Sequence, residues 1–224
     1  MVCLPRTGST FIGEILTKIY RLTNLHEPFN LSDKYVPGVK NGKFVILSGT
    51  NDHDTSIDDR ERLDNFLRLL STGNKTQPLL VKLFIYDAIM PFLDRIITTL
   101  RATGFEFIII RRKNTEQHLL SMGIAKQTGI WYRHEKTIMR PYKVVVNCKD
   151  LFWMNYDRLA FDQRINEFYI NGAEIWYETA REDLANYTGK PTDFDVPSMI
   201  MRIPDPYSQI SNADEVRETI RGLL

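Results

Sequence analysis

The sequence predicts an α/β protein with three layers, in which helices cover both faces of a central parallel sheet. Short apolar runs typical of buried strands alternate along the chain with longer segments whose apolar residues recur every three or four positions. This alternation indicates βαβ units, whose right-handed crossovers make successive strands parallel. The length of 224 residues suits one domain, which we expect to span residues 1–224.

The first half of the chain supplies predicted strands at 2–4, 79–84 and 105–110, each of them a mostly apolar run. The first helix carries Ile12, Ile15, Leu16 and Ile19 on one face. Further helices are predicted at 58–70, 89–100 and 115–127, and the proline at position 91 falls in a first turn, where it is tolerated. The Gly-, Asn-, Asp- and Ser-rich stretch 30–59 is typical of a long excursion, with one strand at 44–47.

The second half continues the alternation after a basic stretch. We predict a loop over 131–147 with a short strand at 144–146, a long helix at 151–170, a strand at 174–178 and a helix at 180–187. The Gly-Lys-Pro run at 189–191 ends that helix. A Pro-rich segment over 192–211 precedes a final helix at 212–224.

Composition argues against several functional classes. The net charge is +1, which disfavours a broad nucleic-acid or polybasic membrane surface. Cys3 and Cys148 form no C-x-x-C motif and the four histidines lack ligand spacing, so we expect no metal site. No apolar run reaches about 18 residues, so we expect no membrane span. The start of the chain resembles a strand rather than a signal peptide, which favours a cytoplasmic location.

A short polar loop joins the first predicted strand to the first helix. Gly8 permits close approach of the backbone, Ser9 and Thr10 add hydroxyl groups, and Arg6 adds a permanent charge. The first amides of a helix lack partners within it and favour an anion. The chain has no Gly-Lys-Ser/Thr triplet, so the loop is not a Walker phosphate loop. The alternative is an ordinary helix capped by Ser or Thr, with Arg6 at the surface.

A cluster of three cations follows the predicted strand at 105–110 and is a second candidate anion site. Arg111, Arg112 and Lys113 come directly after this strand, and Ser121 lies about two turns into the next helix. Ligands of open α/β sheets bind at the carboxyl ends of strands, so this cluster is placed to hold a second anion. The alternative is a solvated basic cluster with Ser121 as a small packing residue.

Both regions resemble sulfotransferases that use 3′-phosphoadenosine 5′-phosphosulfate (PAPS). The loop P-R-T-G-S-T at 5–10 is similar to the family's P-R-S-G-S-T and departs from it only at Thr7. The stretch 109–131, with I-I-R-R-K-N, then L-S, then A-K-Q-T-G-I-W, is most similar to the Stf0-like and carbohydrate-type branches. The resemblance covers residues 1–30 and 79–131 well and is weaker near residues 177–178 and 211–212. It implies a P-loop-like sulfotransferase fold.

The resemblance also implies two sets of nucleotide-binding residues. Those for the 5′-phosphosulfate are Arg6, Thr7, Gly8, Ser9 and Thr10. For the 3′-phosphate the family uses an arginine eight residues before a serine, which here is Ser121. That offset falls on Lys113, whereas Arg112 lies nine residues before Ser121. Both therefore remain candidates.

Three residues are candidates for the chemistry of sulfuryl transfer. Arg6 would neutralise the leaving phosphate, and Lys82 is expected to reach the same pocket, the alternative being a snorkelling lysine at a strand end. Glu27 lies in an E-P segment like that of carbohydrate sulfotransferases and is a candidate general base. The alternative is an exposed turn residue. The histidine that serves cytosolic sulfotransferases as base is missing after Val81-Lys82.

The resemblance implies a PAPS-dependent sulfotransferase that releases 3′,5′-ADP and modifies a hydroxyl or amine, with a sugar or glycolipid as one candidate acceptor. Tyr177 is expected either near the adenine or as a core aromatic residue. The long segments 30–59 and 132–147 are expected to wall the acceptor side. A nucleotide-dependent phosphotransferase and a catalytically inactive nucleotide-binding protein are the alternatives.

Overall fold

A computed structural model of the chain describes residues 1–29, 36–40, 43–47, 59–72, 78–129, 143–193 and 205–224. The strands in these ranges are β1 (Val2–Cys3), β2 (Thr23–Asn24), β3 (Val36–Lys40), β4 (Lys43–Leu47), β5 (Leu79–Leu80), β6 (Leu83–Phe84), β7 (Ile108–Arg111) and β8 (Ala173–Trp176). The helices are α1 (Ser9–Tyr20), α2 (Asp59–Thr72), α3 (Met90–Ala102), α4 (Thr115–Thr128), α5 (Cys148–Glu167), α6 (Ala180–Thr188) and α7 (Ala213–Leu223). The predicted alternation of strands and helices is confirmed.

Four strands form the central sheet in the order β6-β1-β7-β8, and every neighbouring pair is parallel. The chain passes from β1 to β6 on one side and then crosses over to β7 on the other side. The direction of winding therefore reverses between β1 and β7. In open α/β sheets the crevice beyond the carboxyl ends of the strands at such a reversal is where ligands bind.

The two faces of the sheet bury different apolar clusters, because successive strand residues point to opposite sides. Val2 and Ile109 belong to a cluster that includes residues of α2, α3 and α5. Cys3 and Ile110 belong to a second cluster, which includes residues of α1 and α6. Helices thus pack against both faces of the parallel sheet, as the sequence predicts. Within the described residues, no helix combines the length and the hydrophobicity that crossing a bilayer requires.

The predicted strand at 79–84 is wrong in one respect, because it consists of two strands with different partners. β5 pairs with β2, and β6 pairs with β1. Between them the Val81 carbonyl accepts a hydrogen bond from the Met1 amine at 2.7 Å, and the Lys82 amide donates to the His26 carbonyl at 2.8 Å. The chain changes partner at this point, and Lys82 lies at the change.

Two further strand predictions need correction. β4 confirms the strand at 44–47, but β3 pairs with it antiparallel and was not predicted. The Asn-Gly pair between them in the sequence is a hairpin signal that could have revealed β3. The strand at 144–146 is reduced to a single parallel bridge between Val144 and Ile210.

Candidate phosphate-binding site

The loop after β1 positions the N-terminus of α1 at the crevice. Arg6 and Gly8 both have left-handed backbone conformations, with φ of 62° and 82°. Gly8 is the N-cap residue of α1, and no side chain of the described residues caps the helix there. The alternative of a Ser or Thr cap is therefore wrong. Thr7 and Ser9 are buried, and the Thr7 hydroxyl donates to the Leu4 carbonyl at 2.8 Å.

Arg6 connects the two predicted anion sites. Its Nε donates a hydrogen bond to Ser121 Oγ at 2.8 Å, and its carbonyl accepts one from Arg112 Nη1 at 3.2 Å. Arg6 is half-buried rather than fully exposed, and Ser121 accepts a side-chain hydrogen bond. The loop after β1 and the segment from the end of β7 into α4 are therefore in direct contact at one edge of the sheet.

The side chains of Arg112 and Lys113 contact different neighbours. The Arg112 side chain is only 12% exposed and its guanidinium lies over the Tyr177 ring, with 5.0 Å from Cζ to the ring centroid. The Lys113 ammonium lies over the Trp176 indole, 5.5 Å from its centroid. Arg112 therefore contacts the loop that holds Arg6, while Lys113 lies beside β8. Arg111 pairs with Asp162 and Glu174.

Tyr177 lies against the loop after β1, in a short 3₁₀ turn (Tyr177–Thr179) that follows β8. The predicted strand at 174–178 ends earlier, at Trp176. A Cβ built on Gly8 would lie 2.1 Å from Tyr177 Cδ2, so only glycine fits beneath this ring. Tyr177 is half-buried between Gly8 and Arg112 rather than enclosed in the core.

Glu178 binds the turn between β7 and α4. Its Oε2 accepts a hydrogen bond from the Lys113 amide at 2.9 Å, and its Oε1 accepts one from the Asn114 amide at 3.0 Å. Oε1 also lies 3.9 Å from Arg112 Nε. Burial alone would raise the pKa of Glu178, but the two amides and Arg112 outweigh burial and lower it. No sequence pattern assigned Glu178 a role.

His118 attaches α4 to the loop after β1. Its Nε2 lies 2.8 Å from the Pro5 carbonyl oxygen, which can only accept, so Nε2 carries the proton. Burial lowers the pKa of this imidazole to about 4, so the ring is neutral at pH 7. His118 was not among the residues predicted for the site. Its position three residues before Ser121, on the same face of α4, is the signal that could have found it.

Lys82 and Glu27 form a buried ion pair behind the loop. Lys82 Nζ lies 3.9 Å from Glu27 Oε1 and donates to Thr10 Oγ1 at 3.1 Å. The two side chains are 1% and 4% exposed, so the alternatives of a snorkelling Lys82 and an exposed Glu27 are wrong. Burial lowers the pKa of Lys82, and the attraction of Glu27 opposes this effect.

The site thus brings Arg6, Arg112 and Lys82 to one edge of the sheet, beside the N-terminus of α1. Three cations, hydroxyl groups and helix amides suit a ligand with several negative oxygens. Most of the two segments expected to wall the acceptor side lies outside the described residues, as does Trp131 of the T-G-I-W stretch. No protein-family model matches the chain, and no curated protein shows significant similarity to it.

Proposed function

We propose that this protein is a PAPS-dependent sulfotransferase with the P-loop-like three-layer fold of that family. It transfers a sulfuryl group from PAPS to a hydroxyl or amine and releases 3′,5′-ADP. The hydrogen bond between Arg6 and Ser121 carries the proposal. A nucleotide with phosphates on its 5′ and 3′ oxygens needs two anion sites within one ribose of each other, and this bond joins the two sites that the sequence motifs indicate.

Each end of the nucleotide has its own set of residues in this proposal. The 5′-phosphosulfate binds to Arg6 and to the loop and helix amides of residues 7–10, where the α1 dipole favours negative charge. The 3′-phosphate binds to Arg112 and Ser121. Arg112 is preferred to Lys113 because it reaches the loop after β1, whereas the Lys113 ammonium lies over Trp176. A guanidinium also presents a planar fork that suits a phosphate.

The reaction is a displacement at sulfur. The acceptor oxygen or nitrogen forms a bond to sulfur, and the bond from sulfur to the 5′-phosphate oxygen breaks, with its electron pair leaving on 3′,5′-ADP. Arg6 and Lys82 neutralise charge on the transferring group and the leaving phosphate. Glu27 takes the proton of the acceptor. Lys82 contacts both Thr10 of the loop and Glu27, so it joins the phosphate site to the proposed base.

Nucleotide binding is the first test of this function. We expect 3′,5′-ADP to raise the melting temperature of the protein without Mg²⁺, because the site offers cations and amides for both phosphates. Arg6→Gln should abolish this stabilisation. Arg95→Gln is the matched control, because Arg95 lies on α3 and pairs at the surface with Asp64 of α2, and neither residue belongs to the site.

Transfer of labelled sulfate from PAPS to a panel of sugars, glycolipids and small phenols or amines is the second test. Stabilisation by ATP with Mg²⁺ and none by 3′,5′-ADP would contradict the proposal and favour a phosphotransferase. Binding of 3′,5′-ADP without transfer to any acceptor would favour an inactive nucleotide-binding protein.

A further inference from the structure

The short turn after β8 contacts both of the phosphate-binding segments. On one side Tyr177 lies against Gly8, so closely that a methyl group at Gly8 would collide with the ring. On the other side the Glu178 carboxylate accepts hydrogen bonds from the amides of Lys113 and Asn114. Adjacent residues of one turn therefore touch the loop after β1 and the turn after β7.

This turn is itself held in place by α6. Asp183 Oδ2 accepts hydrogen bonds from the Trp176 amide at 2.8 Å and from Thr179 Oγ1 at 2.9 Å, one on either side of the Tyr177-Glu178 pair. The pair is thus braced at both ends. A braced turn that contacts two loops fixes the distance between them.

Glu178 acts on Arg112 both directly, with Oε1 3.9 Å from Arg112 Nε, and through the backbone of the next residue. Arg112 is the residue directly before Lys113, whose amide Glu178 binds, so the position of its Cα depends on this contact. The Arg112 guanidinium then lies between the Tyr177 ring and the Arg6 carbonyl. Without the carboxylate, two amides at the start of α4 would lose their acceptor and the turn would gain freedom.

We propose that the Tyr177-Glu178 turn sets the spacing of the two phosphate sites, and that Glu178 is a positioning residue for recognition of the 3′-phosphate. The inference rests on the proposed function, because it assumes a ligand that carries both phosphates. It assigns selectivity for nucleotides with a 3′-phosphate to a residue that does not touch the phosphate. A carboxylate that merely repelled the ligand would have the opposite effect on binding.

The test compares 3′,5′-ADP with 5′-AMP, which lacks the 3′-phosphate. The dissociation constant of 5′-AMP divided by that of 3′,5′-ADP, both measured by calorimetry, gives the contribution of that phosphate. In Glu178→Gln we expect 3′,5′-ADP to bind about tenfold more weakly, with 5′-AMP binding unchanged within about twofold, since the loss of a charge-assisted hydrogen bond is of this size. Hydrogen exchange of the Lys113 and Asn114 amides should become faster in the same variant.

Two further variants separate geometry from charge. Glu178→Asp keeps the charge but withdraws the carboxylate by one methylene group, and we expect it to lose selectivity as Glu178→Gln does. Glu174→Gln is the matched control, because it removes a carboxylate from β8 that pairs with Arg111 and not with the turn amides. It should leave the ratio unchanged.

Each remaining outcome counts against the inference. An unchanged or increased ratio in Glu178→Gln overturns it, and so does a ratio that falls equally in Glu174→Gln. If the unaltered protein does not distinguish 3′,5′-ADP from 5′-AMP, the proposed function fails and the inference fails with it. That result is distinct, because it appears before any variant is made.

Discussion

Arg6 Nε and Ser121 Oγ are joined by a hydrogen bond of 2.8 Å across 115 positions of sequence. Arg6 follows β1 in the loop that leads to α1. Ser121 lies within α4, the helix that follows β7. They meet because β1 and β7 are parallel neighbours whose carboxyl ends share one edge. This contact brings two separate sequence motifs together in one candidate site.

Ser121→Ala should weaken binding of 3′,5′-ADP by about tenfold, because it removes both a proposed phosphate ligand and the acceptor that orients Arg6. Calorimetry measures the effect. Ser71→Ala is the matched control, since Ser71 is also a helical serine and donates to the Leu67 carbonyl of its own helix. If Ser121→Ala bound 3′,5′-ADP as tightly as the unaltered protein, the assignment of Ser121 would be wrong.

Gly8→Ala should destabilise the protein by several kcal/mol, for two reasons. Its φ of 82° costs a residue with a Cβ about 1–2 kcal/mol, and the new methyl group would displace the Tyr177 ring. Gly104→Ala separates the two effects, because Gly104 has a φ of 83° and a methyl group there would meet no atom of the described, non-adjacent residues within 4 Å. It should lose only the conformational part. Urea denaturation of both variants tests this, and equal losses would contradict the close contact with Tyr177.

Sequence patterns predicted those residues of the candidate site whose positions follow directly from the order of strands along the chain. A parallel α/β sheet brings the ends of its strands together, so Arg6 and the cations after β7 were expected at one edge. The buried Lys82 and Glu27 were also named in advance. Their mutual contact was not, because it depends on the change of partner between β5 and β6, and strands of two residues carry no periodic signal.

The missed residues act on backbone atoms. His118 binds the Pro5 carbonyl, and Glu178 binds two amides of the β7–α4 turn. Backbone partners of this kind cannot be predicted from residue types. Every residue supplies a carbonyl, and every residue except proline supplies an amide N–H. Only the path of the loops shows which ones are within reach.

Acid should destabilise the protein through His118. The folded imidazole stays neutral down to about pH 4, whereas the unfolded chain binds a proton below about pH 6.5. Unfolding therefore takes up a proton between these values, and the free energy of unfolding should fall by up to about 3 kcal/mol as the pH drops through them. Urea denaturation over this pH range measures the slope.

His118→Gln is the matched variant for that measurement. Glutamine keeps an N–H donor for the Pro5 carbonyl but does not titrate, so the variant should lose the part of the pH dependence that His118 causes. A slope identical to that of the unaltered protein would show that other groups cause the acid sensitivity.

Glu27→Gln should lower the turnover of sulfuryl transfer by about 10²- to 10⁴-fold, the usual contribution of a general base. The acid limb of the pH–rate profile should disappear with it, because the variant has no carboxylate to protonate. Binding of 3′,5′-ADP should change little, since Glu27 is not a phosphate ligand. Glu14→Gln is the control: Glu14 also acts electrostatically on Lys82 but lies on α1. Turnover at the unaltered rate in Glu27→Gln would remove Glu27 from the mechanism, and an equal loss in Glu14→Gln would assign the effect to the charge around Lys82 instead.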